Sequence, residues 1–249
     1  IREFFFFTFL SGHEVKPDLD LKQNTLTKFG RDSFLELQTE KFEVTALSSG
    51  FFTLGIHNGL GENPFDDNKP ILFGHPYAKT SYPEFTIDGE KISFSSGWEQ
   101  DFHCTDNGIA NSLSNGKLKI EFIITLLDQD NSIKLLLKST NTDNQSHQIS
   151  SHLNLDPGIS SQGDGNFCVE NNEIMYETIL LENQIPDSLI LYERKGLKKG
   201  ISLSMMIEQP LETIKIRNWK NRNQEKLTNE ILFDSYLSLT WKEKVLMPG

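Results

Sequence analysis

The sequence predicts an all-β protein made of antiparallel strands, and three features support this fold class. Apolar and polar residues alternate with a period of two along most of the chain, which is typical of strands with one buried face. Turn-forming dipeptides separate several of the alternating segments, as they do in β-hairpins. Helical spacing of apolar residues occurs in one short segment. We therefore expect two packed sheets forming a sandwich or supersandwich, with at most one short helix.

The first element in the chain is the phenylalanine-rich segment at residues 4–10. Such a segment fits either a strand or the end of an apolar signal sequence. The strand is favoured because phenylalanine suits a pleated surface and no small-residue cleavage site follows. The chain starts at Ile1 rather than at methionine, which indicates a processed or truncated product.

Three hairpins are predicted in the central part of the chain. The dipeptides Asp88-Gly89 and Asn115-Gly116 each separate two apolar runs, and both suit a type I′ turn, whose two central residues need positive φ. Residues 117–138 alternate on both sides of the turn-forming run at 128–131, which indicates a long antiparallel hairpin with one buried face. Further strands are predicted at residues 34–37, 51–56, 148–155, 189–192, 201–207, 213–217 and 237–241.

One segment near the end of the chain has two interpretations. Leu227, Ile231, Leu232 and Tyr236 follow helical spacing, so residues 223–237 form either one short helix or an irregular loop. The residues alone leave both alternatives open.

A single domain over residues 1–249 is predicted, because no Pro/Ser-rich linker and no repeat of fixed period divides the chain. The glycine-rich stretch at 155–167 is either a long loop within this domain or a seam between two halves. A subdivision near residue 160 is therefore the alternative.

The composition limits the classes of partner. The 249 residues include 24 Lys and Arg against 35 Asp and Glu, a net charge of −11, with the acidic groups spread along the sequence. This charge repels a phosphate backbone, so nucleic acid is excluded as a partner. No run of 18 or more apolar residues occurs, so no membrane-spanning helix is predicted.

Four motifs spread over residues 50–249 carry a family resemblance. They are, in order, "GFFTLGIHNG", "NKPILFGHPYAKTSYPEFTIDGE", "LNLDPGISSQGDGNF" and "DSYLSLTWKEKVLMPG". Together they resemble a group of uncharacterised bacterial extracytoplasmic β-sandwich proteins, some of which precede a von Willebrand factor A domain. The resemblance implies a β-sandwich fold and a periplasmic, cell-surface or secreted location. In that group an aspartate-threonine pair stands at the place of Asp156-Pro157.

The turn Gly74-His75-Pro76-Tyr77 is similar to a motif of galactose mutarotase-like supersandwich proteins. That resemblance implies His75 as a general acid toward a sugar ring oxygen, with a carboxylate elsewhere as the base, because ring opening needs an acid and a base on opposite sides of the anomeric centre. The alternative is a structural corner whose His75 and Tyr77 pack on a neighbouring strand. The corner is favoured because the motif comes early in the chain and no matching glutamate motif follows.

Aromatic residues with polar neighbours are the candidate ligand-binding residues. A flat aromatic ring covers the apolar face of a pyranose, so Tyr77, Trp98 and Trp219 are predicted as candidates for sugar stacking. Trp241 lies in the alternating run "LSLTW" and is predicted to be a core residue.

A calcium site is a further alternative in the stretch at 155–167. Asp156 and Asp164, with Asn154 and Asn166, offer the oxygen ligands that calcium prefers. Asp and Asn also stabilise turns through their own backbone, which explains them without a metal.

The two cysteines, Cys104 and Cys168, have no metal-type spacing. The two cysteines are either joined by a disulfide or are both buried free thiols, and both alternatives stay open.

The leading functional prediction is a non-enzymatic extracytoplasmic module that binds another protein or a glycan, or that has a structural role in an assembly. Strand addition to a free sheet edge is one physical route to such assembly. The chain contains no G-x-S-x-G, H-E-x-x-H or G-x-G-x-x-G motif that would indicate hydrolytic, zinc or nucleotide chemistry. The first alternative is a mutarotase-like carbohydrate-active enzyme that uses His75, and the second is a calcium-stabilised adhesive domain.

Overall fold

The fold consists of strands joined by turns and loops. The structure, a computed structural model, describes the backbone of residues 2–10, 22–23, 27–29, 32–57, 69–130, 132–159, 166–169, 172–192 and 202–249. Among these residues there is no α-helix, and the helical elements are three short 3₁₀ turns at Asp128–Asp130, Glu182–Gln184 and Trp219–Asn221. The strands are β1 (Arg2–Leu10), β2 (Lys22–Gln23), β3 (Thr27–Phe29), β4 (Asp32–Gln38), β5 (Phe42–Leu47), β6 (Phe52–Ile56), β7 (Lys69–Pro70), β8 (Tyr82–Ile87), β9 (Glu90–Ile92), β10 (Glu99–Thr105), β11 (Gly108–Ser114), β12 (Leu118–Leu127), β13 (Ser132–Asn141), β14 (His147–Leu155), β15 (Asn166–Val169), β16 (Asn172–Ile174), β17 (Thr178–Leu181), β18 (Ser188–Tyr192), β19 (Ser202–Ile207), β20 (Leu211–Asn218), β21 (Ser235–Trp241) and β22 (Lys244–Leu246).

The predicted all-β, antiparallel fold class is confirmed. The strands divide among three sheets, with the orders β10-β11-β12-β13-β1-β19-β18-β15-β16, β17-β20-β21-β14-β8-β9 and β2-β4-β5-β6-β7. In addition, β22 pairs with β14 and β3 pairs with β4. We refer to these as the nine-, seven- and six-stranded sheets. Their apolar faces contribute to one hydrophobic core, which contains Leu37, Phe122, Leu153 and Trp241.

The phenylalanine-rich segment at residues 4–10 is part of a strand, as predicted. β1 lies inside the nine-stranded sheet between β13 and β19. Its register with β13 runs from Arg2 opposite Thr140 to Leu10 opposite Ser132.

The long hairpin predicted at residues 117–138 is formed by β12 and β13. Along β12 buried and half-buried residues alternate without exception, because every second side chain enters the core. The 3₁₀ turn Asp128–Asp130 lies at the predicted turn.

The two dipeptide turns differ from each other. Asp88 and Gly89 have φ values of 51° and 84°, as the predicted type I′ turn requires. The same prediction for Asn115-Gly116 is wrong, because Gly116 has a φ of 84° while Asp88 is the one non-glycine with positive φ in the described part of the chain. The Asn115 side chain accepts hydrogen bonds from the backbone N–H groups of Lys117 and Leu118, at 3.0 and 2.8 Å, and this local bonding stabilises a different turn.

Of the two alternatives, residues 223–234 form the irregular loop, and the rest of the segment belongs to β21. Between the 3₁₀ turn Trp219–Asn221 and β21 the chain contains no helix. Leu227 and Ile231, whose spacing suggested a buried helical stripe, are 44% and 61% exposed. The subdivision near residue 160 stays a prediction, since residues 160–165 lie outside the described residues.

The segment from Ile71 to Ser81 joins the six-stranded sheet to the seven-stranded sheet. Ser81 forms an isolated bridge with Phe52, and Leu72 forms another with Pro157. The backbone N–H of Phe73 donates to the carbonyl of Asp156 at 2.7 Å. This joining segment therefore lies against the end of β14, where the candidate site is found. No helix that the structure describes is long and apolar enough to cross a membrane.

Candidate functional site

The outward side of the seven-stranded sheet carries a cluster of polar and aromatic side chains. On β14 the residues Leu153 and Leu155 point into the core, so His152, Asn154 and then Asp156 face the opposite side. The same alternation turns polar or aromatic side chains outward on the neighbouring strands β8 and β21. We call this surface the polar face; it consists of Tyr82, Glu84, His152, Asn154, Asp156, Tyr236, Ser238 and Thr240.

The strand register places these side chains in rows. Asn154 lies opposite Tyr82 on β8 and opposite Ser238 on β21. In the next row His152 lies between Glu84 and Thr240. Side chains that lie directly opposite on one face of antiparallel strands are in contact distance of each other. Residues from three distant parts of the sequence therefore share one surface.

Asp156 is a buried carboxyl group at one end of the polar face, with 3% of its surface exposed. Its backbone N–H donates to Ser81 Oγ at 3.0 Å. Its Oδ1 atom has no well-aligned hydrogen bond with a described residue, although the Thr80 hydroxyl is close enough to lower the pKa of the carboxyl group. Burial raises the pKa of Asp156 to about 7, and the charge of Asp234 adds to the rise. Near neutral pH this carboxyl group therefore exists in both protonated and ionised forms.

Two tyrosines line the same end of the polar face. The Tyr236 hydroxyl donates to Asn154 Oδ1. Burial raises the pKa of Tyr236, and it also raises the pKa of Tyr82. Both phenols therefore stay protonated and can donate hydrogen bonds at any physiological pH.

His152 is the titratable base of the polar face. Burial lowers its pKa, so the imidazole is neutral at pH 7. Its Nδ1 lies 3.1 Å from Thr240 Oγ1, and its Nε2 lies 3.5 Å from Ser150 Oγ. A neutral imidazole can exchange protons with a bound hydroxyl compound.

Trp219 and Arg222 border the polar face from the loop between β20 and β21. The Trp219 ring contacts the Tyr236 ring edge-on, with centroids 5.7 Å apart. The Arg222 guanidinium lies 4.3 Å from the centre of the Trp219 ring, within the range of a cation–π contact. Arg222 also donates to the carbonyl of Trp219 at 2.9 Å.

Buried Arg217 and Glu177 hold this loop in place. The Arg217 guanidinium, 1% exposed, donates to the carbonyls of Asn221, Gln224, Glu225 and Lys226. The Glu177 carboxylate accepts from Asn221 Nδ2, from the backbone N–H of Asn218 and from both the N–H and the hydroxyl of Thr228, at 2.6 to 3.1 Å.

The same hydrogen bonds determine the titration of Glu177. Burial by itself raises the pKa of Glu177, but the donors of Thr228, Asn221 and Asn218 outweigh it and lower the pKa to about 2. Glu177 is therefore ionised at neutral pH, as its donors require. The two charged residues thus fix the position of Trp219 and Arg222 beside the polar face.

The His75 motif lies elsewhere, on the outward side of the six-stranded sheet. His75 Nε2 and His57 Nδ1 approach the two oxygens of Glu43, at 2.8 and 2.7 Å. Gln38 Nε2 contacts His57 Nε2, which leaves His57 Nδ1 to donate to the carboxylate. The His75 ring rests on Gly55, where a Cβ atom would lie 2.6 Å from the ring.

This geometry bears on the two interpretations of the motif. His75 Nε2 is hydrogen-bonded to Glu43, so Glu43 cannot be a base on the opposite side of a sugar ring from His75. The mutarotase-like interpretation with a different carboxylate stays a prediction. The His75 ring packs on a neighbouring strand, as the structural-corner interpretation requires. The Tyr77 ring is 61% exposed, so most of its surface is open to solvent.

The other candidate residues lie apart from each other. Trp98 packs against the core, and Trp241 is buried in it as predicted. Cys104 is a half-buried free thiol whose pKa is raised by burial, while the side chain of Cys168 lies outside the described residues. Asp164 also lies outside them, and the described residues include no group of three potential metal ligands. The calcium alternative stays a prediction.

Sequence reasoning named Asn154, Asp156 and Trp219, but it missed Glu84 and His152 and did not place these residues on one surface. The available signal is the polar alternation at residues 150, 152, 154 and 156, between apolar residues of the same strand. That alternation identifies an outward side but not the strands beside it.

Comparisons with known proteins add no assignment. No protein-family model matches the chain, and no curated protein matches it. Both resemblances noted in the sequence therefore stay predictions.

Proposed function

We propose that this protein is an extracytoplasmic carbohydrate-binding module and that the polar face is its binding surface. The observation that carries the proposal is the convergence of aromatic rings, a buried carboxyl group, a neutral imidazole and phenol hydroxyls on one side of a rigid sheet. A site with a few convergent polar groups beside aromatic rings is typical of small-molecule recognition. The extracytoplasmic location rests on the sequence resemblance alone.

The aromatic part of the site suits a pyranose. Trp219 and Tyr82 are both half-buried, so part of each ring remains accessible. An apolar sugar face can stack on such a ring, while the hydroxyls at its rim reach polar neighbours. Arg222 keeps Trp219 in one orientation, which lowers the entropy that the ring loses when a ligand binds.

The polar part of the site also suits sugar hydroxyls, which donate and accept hydrogen bonds. Asp156 offers an oxygen without a well-aligned hydrogen bond, and in its protonated form it also donates. The neutral imidazole of His152 can accept a hydrogen bond, and the hydroxyl of Tyr82 can donate one. This mixture favours a neutral polyol over an anion, in keeping with the net charge of −11.

Replacement of Trp219 tests the binding proposal. We expect Trp219→Ala to weaken the binding of a pyranose ligand by about tenfold or more, because a partly buried aromatic anchor is lost. The ligand is first found by calorimetric titration with glucose, galactose, N-acetylglucosamine and their oligosaccharides. Tyr176→Ala, which removes an exposed aromatic ring outside the polar face, is the matched control and should bind like the unmodified protein. Failure of all these sugars to bind, or equal affinity in Trp219→Ala, would contradict the proposal.

A second candidate function is acid–base catalysis on a sugar at the same surface. The specific observation in its favour is the pKa of about 7 at Asp156, since a catalytic acid or base works best with a pKa near the operating pH. In this candidate Asp156 transfers the proton and neutral His152 is the second proton-transfer group. His75 has no role in it.

Mutarotation of freshly dissolved α-glucose and α-galactose, followed by polarimetry, tests this candidate. Asp156→Asn should lower turnover by a factor of about 10² or more. His75→Asn should keep turnover, because His75 lies on the other sheet. If the unmodified protein does not exceed the spontaneous rate, the catalytic candidate is wrong and the binding proposal is unaffected.

A further inference from the structure

A second surface of the molecule, distinct from the polar face, has features of a ligand site. On the outward side of the six-stranded sheet, β4, β5 and the joining segment enclose a cavity of about 250 Å³. It is lined by Phe34, Glu36, Thr45, Leu47 and residues 76–79. We call it the side cavity.

The walls of the side cavity are largely apolar. Phe34 and Leu47 project from β4 and β5, and Pro76, Tyr77 and Ala78 cover them from the joining segment. The Tyr77 ring, 61% exposed, lies at the open side. Such walls can bury an apolar group as large as an amino-acid side chain.

The floor of the side cavity contains a polar group without a partner. Thr45 is 5% exposed, and its Oγ1 has no hydrogen bond with any residue that the structure describes. Its neighbour across the strand pair, Thr53, differs, because the Thr53 hydroxyl donates to the Leu72 carbonyl at 3.3 Å. A buried hydroxyl without a partner is costly and needs an explanation. A ligand atom in the cavity would supply the missing bond.

Two opposite charges also line the side cavity. Glu36 lies directly opposite Thr45 in the strand register, and Lys79 lies on the joining segment. Neither residue forms an ion pair with another described residue, and they do not pair with each other. A ligand that carries both an ammonium and a carboxylate group would complement this pair of charges.

The wall formed by residues 76–79 is held in position by the neighbouring histidine cluster. His75, 11% exposed at its side chain, is bonded to Glu43 on β5, two residues from Thr45 on the same side of the strand. This contact ties the joining segment to the floor of the cavity. It gives His75 a positioning role that accounts for its burial without catalysis.

We propose that the side cavity binds a small zwitterion with an apolar body, namely a free α-amino acid with an aliphatic or aromatic side chain. The ligand ammonium pairs with Glu36 and its carboxylate pairs with Lys79, while the Thr45 hydroxyl donates to that carboxylate. The apolar side chain lies among Phe34, Leu47 and Pro76. The cavity volume of about 250 Å³ is below the 300 Å³ or more of drug-sized pockets, which favours a ligand of this size.

Titration with L-phenylalanine and L-leucine, followed by calorimetry and by NMR of the protein, tests this proposal. We expect at least one of them to bind, and the analogues that lack one charge, phenethylamine and 3-phenylpropionate, to bind about tenfold more weakly. Glu36→Gln and Lys79→Met should each weaken binding by a similar factor. Thr45→Val, which keeps the shape and removes the hydroxyl, should weaken it several-fold.

Two controls separate this site from the rest of the molecule. Glu99→Gln removes an exposed carboxylate on β10 and should bind the amino acid like the unmodified protein. Trp219→Ala changes the polar face and should also leave this binding unchanged, so the two proposals can fail independently. Absence of binding of both amino acids at millimolar concentration overturns the proposal. Equal affinity for the single-charge analogues, or for the Glu36→Gln and Lys79→Met variants, overturns it as well.

Discussion

Unfolding experiments at pH 5 and pH 8 are expected to show that Asp156 makes the protein less stable at the higher pH. Its folded pKa of about 7 lies above the ordinary value of 3.8, so between these values the folded state binds more protons than the unfolded state. Stability is therefore lost as the pH rises through this window, by up to about 4 kcal/mol in total at about 1.4 kcal/mol per pH unit. The physical cause is the cost of an ionised carboxylate at a buried position.

The variant Asp156→Asn isolates this contribution. An amide does not titrate, so the variant should lose this part of the pH dependence and should gain stability relative to the unmodified protein at pH 8. Urea unfolding of both proteins at a series of pH values measures the difference. Asp101→Asn, at an exposed position on β10, should follow the unmodified protein at every pH. Parallel curves for Asp156→Asn and the unmodified protein would show that Asp156 ionises normally in the folded state.

Loss of the Glu177 charge is expected to destabilise the protein, because Glu177 holds the loop beside the polar face. Glu177→Gln turns two acceptor oxygens into one acceptor and one donor, which leaves Thr228, Asn221 or Asn218 without a partner at a buried site. Leaving a buried donor without its partner costs about 1 to 3 kcal/mol. Chemical unfolding at pH 7 measures this loss.

The pH dependence provides an independent check on Glu177. Its folded pKa of about 2 lies below the ordinary value of 4.5, so its contribution is present above pH 4.5 and is lost as the pH falls toward 2. The difference in stability between the unmodified protein and Glu177→Gln should therefore shrink by up to about 3 kcal/mol over this range. Glu182→Gln, which removes an exposed carboxylate of the 3₁₀ turn, should change stability by less than about 1 kcal/mol. A Glu177→Gln variant as stable as Glu182→Gln would contradict the structural role of Glu177.

The pKa of Asp156 is raised and the pKa of Glu177 is lowered, so the two carboxyl groups have opposite effects on stability near neutral pH. Glu177 holds the loop of Trp219 in place at neutral pH, where its carboxylate is fully ionised. Asp156 lowers stability in the same pH range, because its carboxyl group ionises there at a buried position. A buried carboxyl group that costs stability is typical of a functional site rather than of a structural one.

Strand positions were predictable because their signals are local. The alternation in β12 and β13 and the turn at Asp88-Gly89 depend on neighbouring residues, and the structure has both as predicted. The helical spacing at residues 223–237 was ambiguous for a non-local reason. Arg217 binds the carbonyls of this segment from a neighbouring strand, so its backbone polar groups are satisfied without a helix.

Single residues of the candidate site were recognisable in the sequence, but which residues meet there was not. Asp156 was recognisable as an oxygen ligand and Trp219 as an aromatic platform. Their neighbours come from strands far along the chain: the hydrogen bond between Tyr236 and Asn154 joins residues 82 positions apart. The cluster of Gln38, His57, Glu43 and His75 likewise depends on the packing of the joining segment onto the six-stranded sheet.

By itself, the sequence determined the all-β class and strands such as β12 and β13, together with the side of those strands that enters the core, because these follow from alternation over a few neighbouring residues. It did not indicate β5, β10 or β17. Only the tertiary structure decided which strands lie side by side, and therefore which outward side chains meet. The reason is that strand order and register depend on contacts between distant segments, and no local pattern specifies the partner. The polar face and the side cavity are both products of that pairing.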